Sequence, residues 1–340
     1  MSGLGHQVTV YNPHYHPIRG HWQGVSIVSR WNPEKYLGPL GNALYDLLCL
    51  CHAWRRSFDI VLCLGHAPVG LFFFLLPKGP KLLVNLDGLE WYRAKWGGCA
   101  RIVLKYAEKQ AIKHADAIIT DNQRVEDYVK HTYKLTPWLI GYGVPHIPAR
   151  GNGNSVLKQY GLRTGQYYLL ISRLEPENNI AMVLDGYRSS GATRPMVVVL
   201  RVNRRERAML NQYAGQGICF IPAVYGKPDI LHELRRHCTF YFHGHAAGGT
   251  NPSLLEAMAA RADIAAHENP FNRAVLGENA WFFTTARDVC RIIQEDDHSM
   301  SQRWRARNAV EIKQKYNWPL VAKQYITVCE RVLAGRGGCP

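Results

Sequence analysis

The sequence predicts an α/β chain of two doubly wound, Rossmann-like domains with a cleft between them. Three observations carry this. Short apolar runs alternate with longer amphipathic ones through both halves. The alternation breaks at a Pro- and Gly-rich stretch, Val144–Asn154. A length of 340 residues suffices for two cores. In the first half His6–Tyr11, Gly24–Ser29, Ile60–Leu64, Lys81–Leu86 and Ala117–Thr120 read as strands. Leu40–Arg55 and Cys99–His114 read as helices between them. In the second half the strands are Tyr167–Ser172, Pro195–Leu200, Ile218–Ile221, Thr239–Phe242, Asp263–Ala266 and Trp281–Thr284. Helices are expected from about Asn178 to Tyr187, over Arg303–Lys315 and over Trp318–Leu333. The predicted linker sets an N-terminal domain at 1–146, a second at 147–317 and a closing helix with its tail at 318–340.

Composition narrows the class. A hydrophobic fraction of 47% fills two cores, and 20% charged residues is ordinary for a soluble protein. Met1–Val10 does not read as a signal peptide, and the most apolar stretch, Val69–Leu76, is too short to span a bilayer. Nine cysteines without a CxxC pair predict a reduced, cytoplasmic protein with no metal framework. The net charge of +15, from 41 basic and 26 acidic residues, calls for an anionic partner. Arg101, Lys105, Lys109 and Lys113 recur at every fourth position and form one basic row on a helix. Arg201, Arg204, Arg205 and Arg207 make a second cluster. No recognised nucleic-acid motif accompanies them, and an acidic membrane surface fits them as well as nucleic acid does.

The richest motif is Gly248-Gly249-Thr250-Asn251-Pro252-Ser253-Leu254-Leu255-Glu256. Two glycines let the backbone approach a ligand closely. Asn251 suits an N-cap and Pro252 the first helical position. A helix that starts there turns its positive end toward an anion. The loop follows a strand, and open α/β sheets bind nucleotides at the carboxyl ends of their strands. Glu256, one turn in, is placed to accept hydrogen bonds from sugar hydroxyls. An ordinary capped helix explains the loop taken alone equally well. The second motif, Asp87-Gly88-Leu89-Glu90-Trp91-Tyr92-Arg93-Ala94-Lys95-Trp96, also follows a strand. Its acids and aromatic rings suit a sugar. A surface turn with salt bridges and buried tryptophans is the plainer account.

Together these stretches, with Arg173-Leu174-Glu175-Pro176-Glu177-Asn178-Asn179, His243-Gly244-His245 and Asn269-Pro270-Phe271-Asn272-Arg273, resemble bacterial family 4 glycosyltransferases of the GT-B fold. They are most similar to the subgroup of rhamnosyltransferases, from about Gly5 to the C-terminal helix. The resemblance implies that the second domain binds a nucleotide-diphosphate sugar, with dTDP-rhamnose as the donor. Arg173 and the helix beginning at Pro252 would neutralise the diphosphate, and Glu256 would hold the ribose. His243, His245, Gly248, Gly249, Thr250, Asn251, Ser253 and Leu254 would line the donor pocket. Asp87, Gly88, Glu90, Trp91, Arg93 and Lys95 would form the acceptor side, with Asp87 or Glu90 orienting groups and stabilising positive charge. The reaction would retain anomeric configuration, and no cofactor or metal would be needed. A growing lipid-linked glycan would be the acceptor, reached by peripheral contact with the anionic inner face of the membrane. Nucleic acid would not be a partner.

The chain departs from the pattern in places. Gly248 stands where many relatives carry an acid, and Asn178 where many carry a lysine. Arg201-Val202-Asn203-Arg204-Arg205 replaces a usual glycine turn, and Ile221-Pro222-Ala223 lacks a glycine expected near the base pocket. Relatives begin with a strand, a glycine-rich loop and a helix ahead of the equivalent of His6. The expectation is therefore a first domain short of its first strand and helix, with the recorded start downstream of the true one. Two further readings stay open at this point: a non-catalytic sugar-nucleotide-binding or assembly subunit, and a basic nucleic-acid-binding protein.

Overall fold

The computed structural model describes residues 1–75, 79–145, 153–201, 210–224 and 226–335. The chain divides into two compact units. The first comprises Met1–Trp91, Trp96–Ile140 and Pro319–Pro340, and the second Tyr92–Lys95 and Gly141–Trp318.

The second unit holds one six-stranded sheet, every pair parallel. Its strands are β8 (Tyr168–Arg173), β9 (Met196–Arg201), β10 (Ile218–Pro222), β11 (Tyr241–His243), β12 (Ile264–His267) and β13 (Trp281–Phe283). Their order in space is β10-β9-β8-β11-β12-β13. The chain thus builds outward from β8 in one direction, then returns to build outward from β11 in the other. The gap between β8 and β11 is the topological switch point, where doubly wound sheets open a crevice for ligands. Near-continuous apolar runs such as Met196–Leu200 mark strands covered on both faces. One core cluster, with Leu169, Val197, Tyr241 and Leu255, lies on one face. A second, with Leu170, Val198, Phe242 and Val289, lies on the other. Alternate residues of each strand go to opposite faces, which explains the interleaved numbers.

The first unit is mostly parallel too, but its strands fall into two sheets and one pair is antiparallel. Its strands are β1 (Thr9–Pro13), β2 (Gly20–Trp22), β3 (Val25–Arg30), β4 (Ile60–Cys63), β5 (Lys81–Leu86), β6 (Ala117–Thr120) and β7 (Trp138–Leu139). They form two sheets, β1-β3-β2 and β4-β5-β6-β7. The strand β2 runs antiparallel to β3. The cause is local: the two residues joining them, Gln23 and Gly24, both have positive φ (48° and 78°), as a tight type I′ hairpin requires. Among the described residues, β1 pairs only with β3 and β4 only with β5. The Pro39–Trp54 helix lies against β1, with His52 Nδ1 2.8 Å from the Tyr11 hydroxyl. Its Asp46 and Cys49 both act electrostatically on Cys63 of β4. The core of this unit sits under β5 and β6, where Leu83, Ile119 and Ile140 pack on Val321, Val328 and Val332 of the Trp318–Leu333 helix. Asn85 donates to the Tyr325 hydroxyl at 2.7 Å, fixing that helix to the sheet.

The helix over Gln123–Tyr133 was not anticipated. Asn122 caps it, its side chain accepting from the Arg124 amide. Of the second basic cluster, Arg201 ends β9 and is exposed, whereas Arg204, Arg205 and Arg207 lie outside the described residues. Residues 146–152 of the predicted linker also lie outside them.

Candidate functional site

The candidate site residues fall into two groups, one centred in each unit. The first lies at the switch point of the second unit. Parallel pairing of Tyr241 with Leu169 and Phe242 with Leu170 brings the carboxyl ends of β8 and β11 side by side. Arg173 is the last residue of β8 and its side chain is exposed. The following turn is locked to the loop after β11. Asn178 Nδ2 donates to the Arg173 carbonyl at 2.8 Å, Asn179 Nδ2 to the Gly244 carbonyl at 2.9 Å, and the Ala246 amide to the Glu177 carbonyl at 2.9 Å. A side chain at Gly244 would collide with the Asn178 carbonyl oxygen, so the approach demands glycine. Asn178, where a phosphate-binding lysine was missed, is 2% exposed and orders the backbone of Arg173 instead.

His243 is fully buried, and neither ring nitrogen has a hydrogen-bond partner among the described residues. Its ring stacks on that of His245 at 4.4 Å between centroids. Burial holds the His243 imidazole well below the usual histidine range, helped by His245, Arg235 and His267. Burial, then the positive charge of Arg173, brings His245 down to about 4. Both rings are therefore neutral near pH 7, each offering one donor and one acceptor. The His245 carbonyl accepts from Asn269 Nδ2 (3.0 Å) and Asn272 Nδ2 (2.9 Å). The side-chain oxygen of Asn269 also caps the Pro270–Leu276 helix.

The Gly248–Glu256 motif folds as a capped helix start. Gly248 has φ 127°, a conformation side chains disfavour. The helix runs over Pro252–Ala259, with the Asn251 side chain accepting from the Ser253 amide at 2.9 Å. The Asn251 carbonyl accepts from the amides of Leu254 (3.0 Å) and Leu255 (3.2 Å). The helix therefore turns its positive end outward without free amides in its first turn. Its first amides are taken by the cap, and the Gly249 and Asn251 amides ahead of it make no hydrogen bond among the described residues. The helix dipole remains. Thr250 is 3% exposed, and the Leu254 side chain is fully buried in the core.

One residue here escaped the sequence reading. Arg235, near the end of the Pro228–His237 helix, is 2% exposed. Its Nη2 lies 2.6 Å from Oε2 of Glu256 and donates to the Ser253 hydroxyl at 2.9 Å. Tyr241 shares that hydroxyl at 2.8 Å and lies beneath the guanidinium, 5.7 Å from its ring centroid. The Glu256 carboxylate, about a third exposed, is thus fixed from behind by a buried cation. The signal was present but weak: Arg235 follows Leu231 by four positions, which puts it on the apolar side of its helix.

The second group lies in the first unit. Asp87 is exposed just after β5, Gly88 has φ 131° and is buried, and Leu89 is 8% exposed. Glu90 Oε1 accepts from the Trp96 indole at 2.9 Å. The Trp91 indole donates to Glu108 at 3.0 Å, and Lys105 sits 4.1 Å above the Trp91 ring. Glu108, also missed, is fully buried and accepts from the hydroxyls of Tyr128 and Tyr133, each at 2.7 Å. His66 lies 3.8 Å from the same carboxylate and is 1% exposed; burial pushes its pKa down. Of the six expected acceptor-side residues, Arg93 and Lys95 cluster with the second unit. There Arg93 Nε donates to the buried Glu177 at 2.8 Å. Among the described residues, no group of three or more His, Cys, Asp or Glu is placed to hold a metal ion. Nor is any helix among them long and apolar enough to cross a membrane.

With the geometry in place, comparison with known proteins fixes the fold. A family described as "Domain of unknown function (DUF1972)" matches residues 69–145. No curated protein matches in sequence. The chain is similar in structure to a sucrose-phosphate synthase from Thermosynechococcus elongatus (TM-score 0.80, 13% identity, covering 98% of this chain and 90% of that one). It is also similar to Anabaena HepE solved in complex with UDP-glucose (TM-score 0.70, 14% identity, 92% and 86%). A glycosyltransferase from Rickettsia africae ESF-5 matches at TM-score 0.67 with 13% identity, over 97% and 91%. These likenesses show the fold, and the chain has the GT-B fold that the sequence led us to expect.

Proposed function

We propose that this protein is a glycosyltransferase that moves a sugar from a nucleotide-diphosphate donor to a growing glycan. The observation that carries the reading is the convergence at the β8/β11 switch point. There an exposed arginine, two neutral histidines, a capped helix start behind a glycine-rich loop and a carboxylate held by a buried arginine come together. Each has a task in such a reaction. Arg173 and the positive end of the Pro252–Ala259 helix offset the charge that grows on the departing diphosphate. The Gly249 and Asn251 amides are placed to add donors. Glu256 takes the ribose hydroxyls, and His245 offers a neutral hydrogen bond to the donor, with the fully buried His243 ring stacked behind it. Asp87 and Glu90 belong to the acceptor side; Glu90 has one carboxylate oxygen committed to Trp96, which suits orientation better than proton transfer.

The finer reading follows the resemblance to the family 4 rhamnosyltransferases. The donor is dTDP-rhamnose and the acceptor a lipid-linked polysaccharide at the cytoplasmic face of a membrane. The reaction retains configuration without a metal: the bond from the sugar to the phosphate oxygen breaks as the acceptor oxygen bonds on the same face. The acceptor's proton passes to the departing phosphate. Donor binding belongs to residues 147–317 and acceptor binding to 1–146. The experiment is transfer by Arg173→Ala and Glu256→Ala, with folding checked by circular dichroism. Loss of transfer in both folded variants supports the site, and undiminished transfer in both rejects it. Donor binding without transfer or hydrolysis across a full acceptor panel would favour the non-catalytic subunit.

A further inference from the structure

We infer that the outer face of the Gly98–His114 helix is the surface by which this protein docks on an anionic lipid membrane. The inner side of this helix is fixed by packing, with Leu104, Ala107, Glu108, Ala111 and Ile112 all buried. Glu108 is its only acid; the outer face carries Lys109 and Lys113, with the exposed Arg101 at its flank and Lys105 turned over the Trp91 ring. Three large apolar side chains stand between these cations: Ile102 is 71% exposed, Val103 49% and Tyr106 50%. At about 100° per residue, Ile102, Tyr106, Lys109 and Lys113 fall in one sector roughly 60° wide, opposite the buried residues.

Charge and shape together select the partner. A face meant only for water does not need an isoleucine there. Nucleic acid accounts for the cations but not for the aliphatic side chains. An anionic bilayer accounts for both: its headgroups meet the cations, while the apolar side chains enter the boundary between headgroups and acyl chains. Each lysine or arginine near such a surface is worth roughly fivefold in partitioning. The inference rests on the proposed function only for its purpose, which is to bring a transferase to a lipid-linked acceptor.

The test is sedimentation of the whole protein with vesicles of phosphatidylcholine alone, or mixed with phosphatidylglycerol, at low and high salt. Nucleotide binding is measured in parallel by calorimetry. Wild type is expected on the anionic vesicles at least ~10-fold more tightly than on the neutral ones. The double variant Lys109→Glu/Lys113→Glu is expected to lose about 25-fold or more. Ile102→Ser/Tyr106→Ser is expected to lose severalfold while keeping the salt dependence. Equal binding to both vesicle types, unchanged binding by both double variants, or tight binding to duplex DNA without vesicle binding overturns the inference. Vesicle binding as expected with no nucleotide binding leaves the docking surface standing and removes the proposed function. The converse result removes the docking surface alone.

Discussion

The two units solve the same problem of sheet burial to different degrees. In the second, β9 from Met196 to Leu200 and all of β11 are covered on both faces, and the sheet is continuous. In the first, β5 from Leu82 to Leu86 and all of β6 are buried, but no residue of β1, β3 or β4 is. The difference bears on function. A continuous covered sheet can hold unsolvated polar side chains such as His243 and Arg235 in one fixed arrangement, because everything around them is packed. The first unit buries polar groups too, His66 and Glu108, while β1, β3 and β4 have no buried residue. On the proposed function, the donor site sits in the unit whose sheet is continuous.

Amide hydrogen exchange should show the contrast at its largest. Strands β8, β9 and β11 should exchange only through global opening, while β1 and β4, each with a single ladder, should exchange at least ~10³-fold faster. Uniform protection across both units would break the comparison at its root.

Catalysis comes next. Arg173→Ala and Glu256→Ala should each lower transfer by about 10²–10³-fold, the usual cost of losing one charged contact to a transition state. Asp87→Ala should lower it with nucleoside diphosphate affinity unchanged. If Asp87→Ala abolishes nucleotide binding, the division of labour between units is wrong.

The histidines His243 and His245 should answer pH in the opposite sense to Asp46. His245 titrates at about 4 in the fold against an ordinary 6.5, and His243 is lowered too. The unfolded chain takes up protons as pH falls through 6.5 while these rings do not. The contribution of both is full above that pH; that of His245 is lost between 6.5 and about 4, and that of His243 falls in the same direction. Asp46 runs the other way, raised by burial from 3.8 to about 7. Its carboxyl is favoured in protonated form in the fold, so stability is full below 3.8 and falls as pH rises to about 7. Asp46→Asn should therefore raise the melting temperature by a few °C at about pH 8 and leave it unchanged near pH 4. A stabilisation equal at both pH values would show that ionisation is not the cause.

The smallest effect concerns Arg235. Arg235→Met should weaken nucleoside diphosphate binding by roughly 10-fold, and Glu256→Gln by a similar factor. The double variant should be little worse than either, since both act through one pair. Full additivity in calorimetric titrations would mean that Arg235 does not act through Glu256.

Much of this was legible in the sequence because its causes are local. Lys81–Leu86, Ala117–Thr120 and Trp318–Leu333 fall where periodicity puts them. Asn251 caps its helix as its side chain dictates. What escaped depends on distant partners. The strand Gly20–Trp22 is short and fully exposed, with no apolar pattern to betray it. Arg235 gains its role only from Glu256, a residue 21 positions on in sequence. Asn178 looks like a lost lysine until the β8 and β11 loops are seen hydrogen-bonded together.

The most direct measurement is a crystal structure of the whole protein with a bound nucleoside diphosphate. The account predicts the diphosphate ahead of the Pro252–Ala259 helix, within about 3 Å of the Arg173 guanidinium and the Gly249 or Asn251 amides, with the ribose on Glu256. A nucleotide seated on the first unit, or at the second with Arg173 turned away and Glu256 untouched, would contradict it.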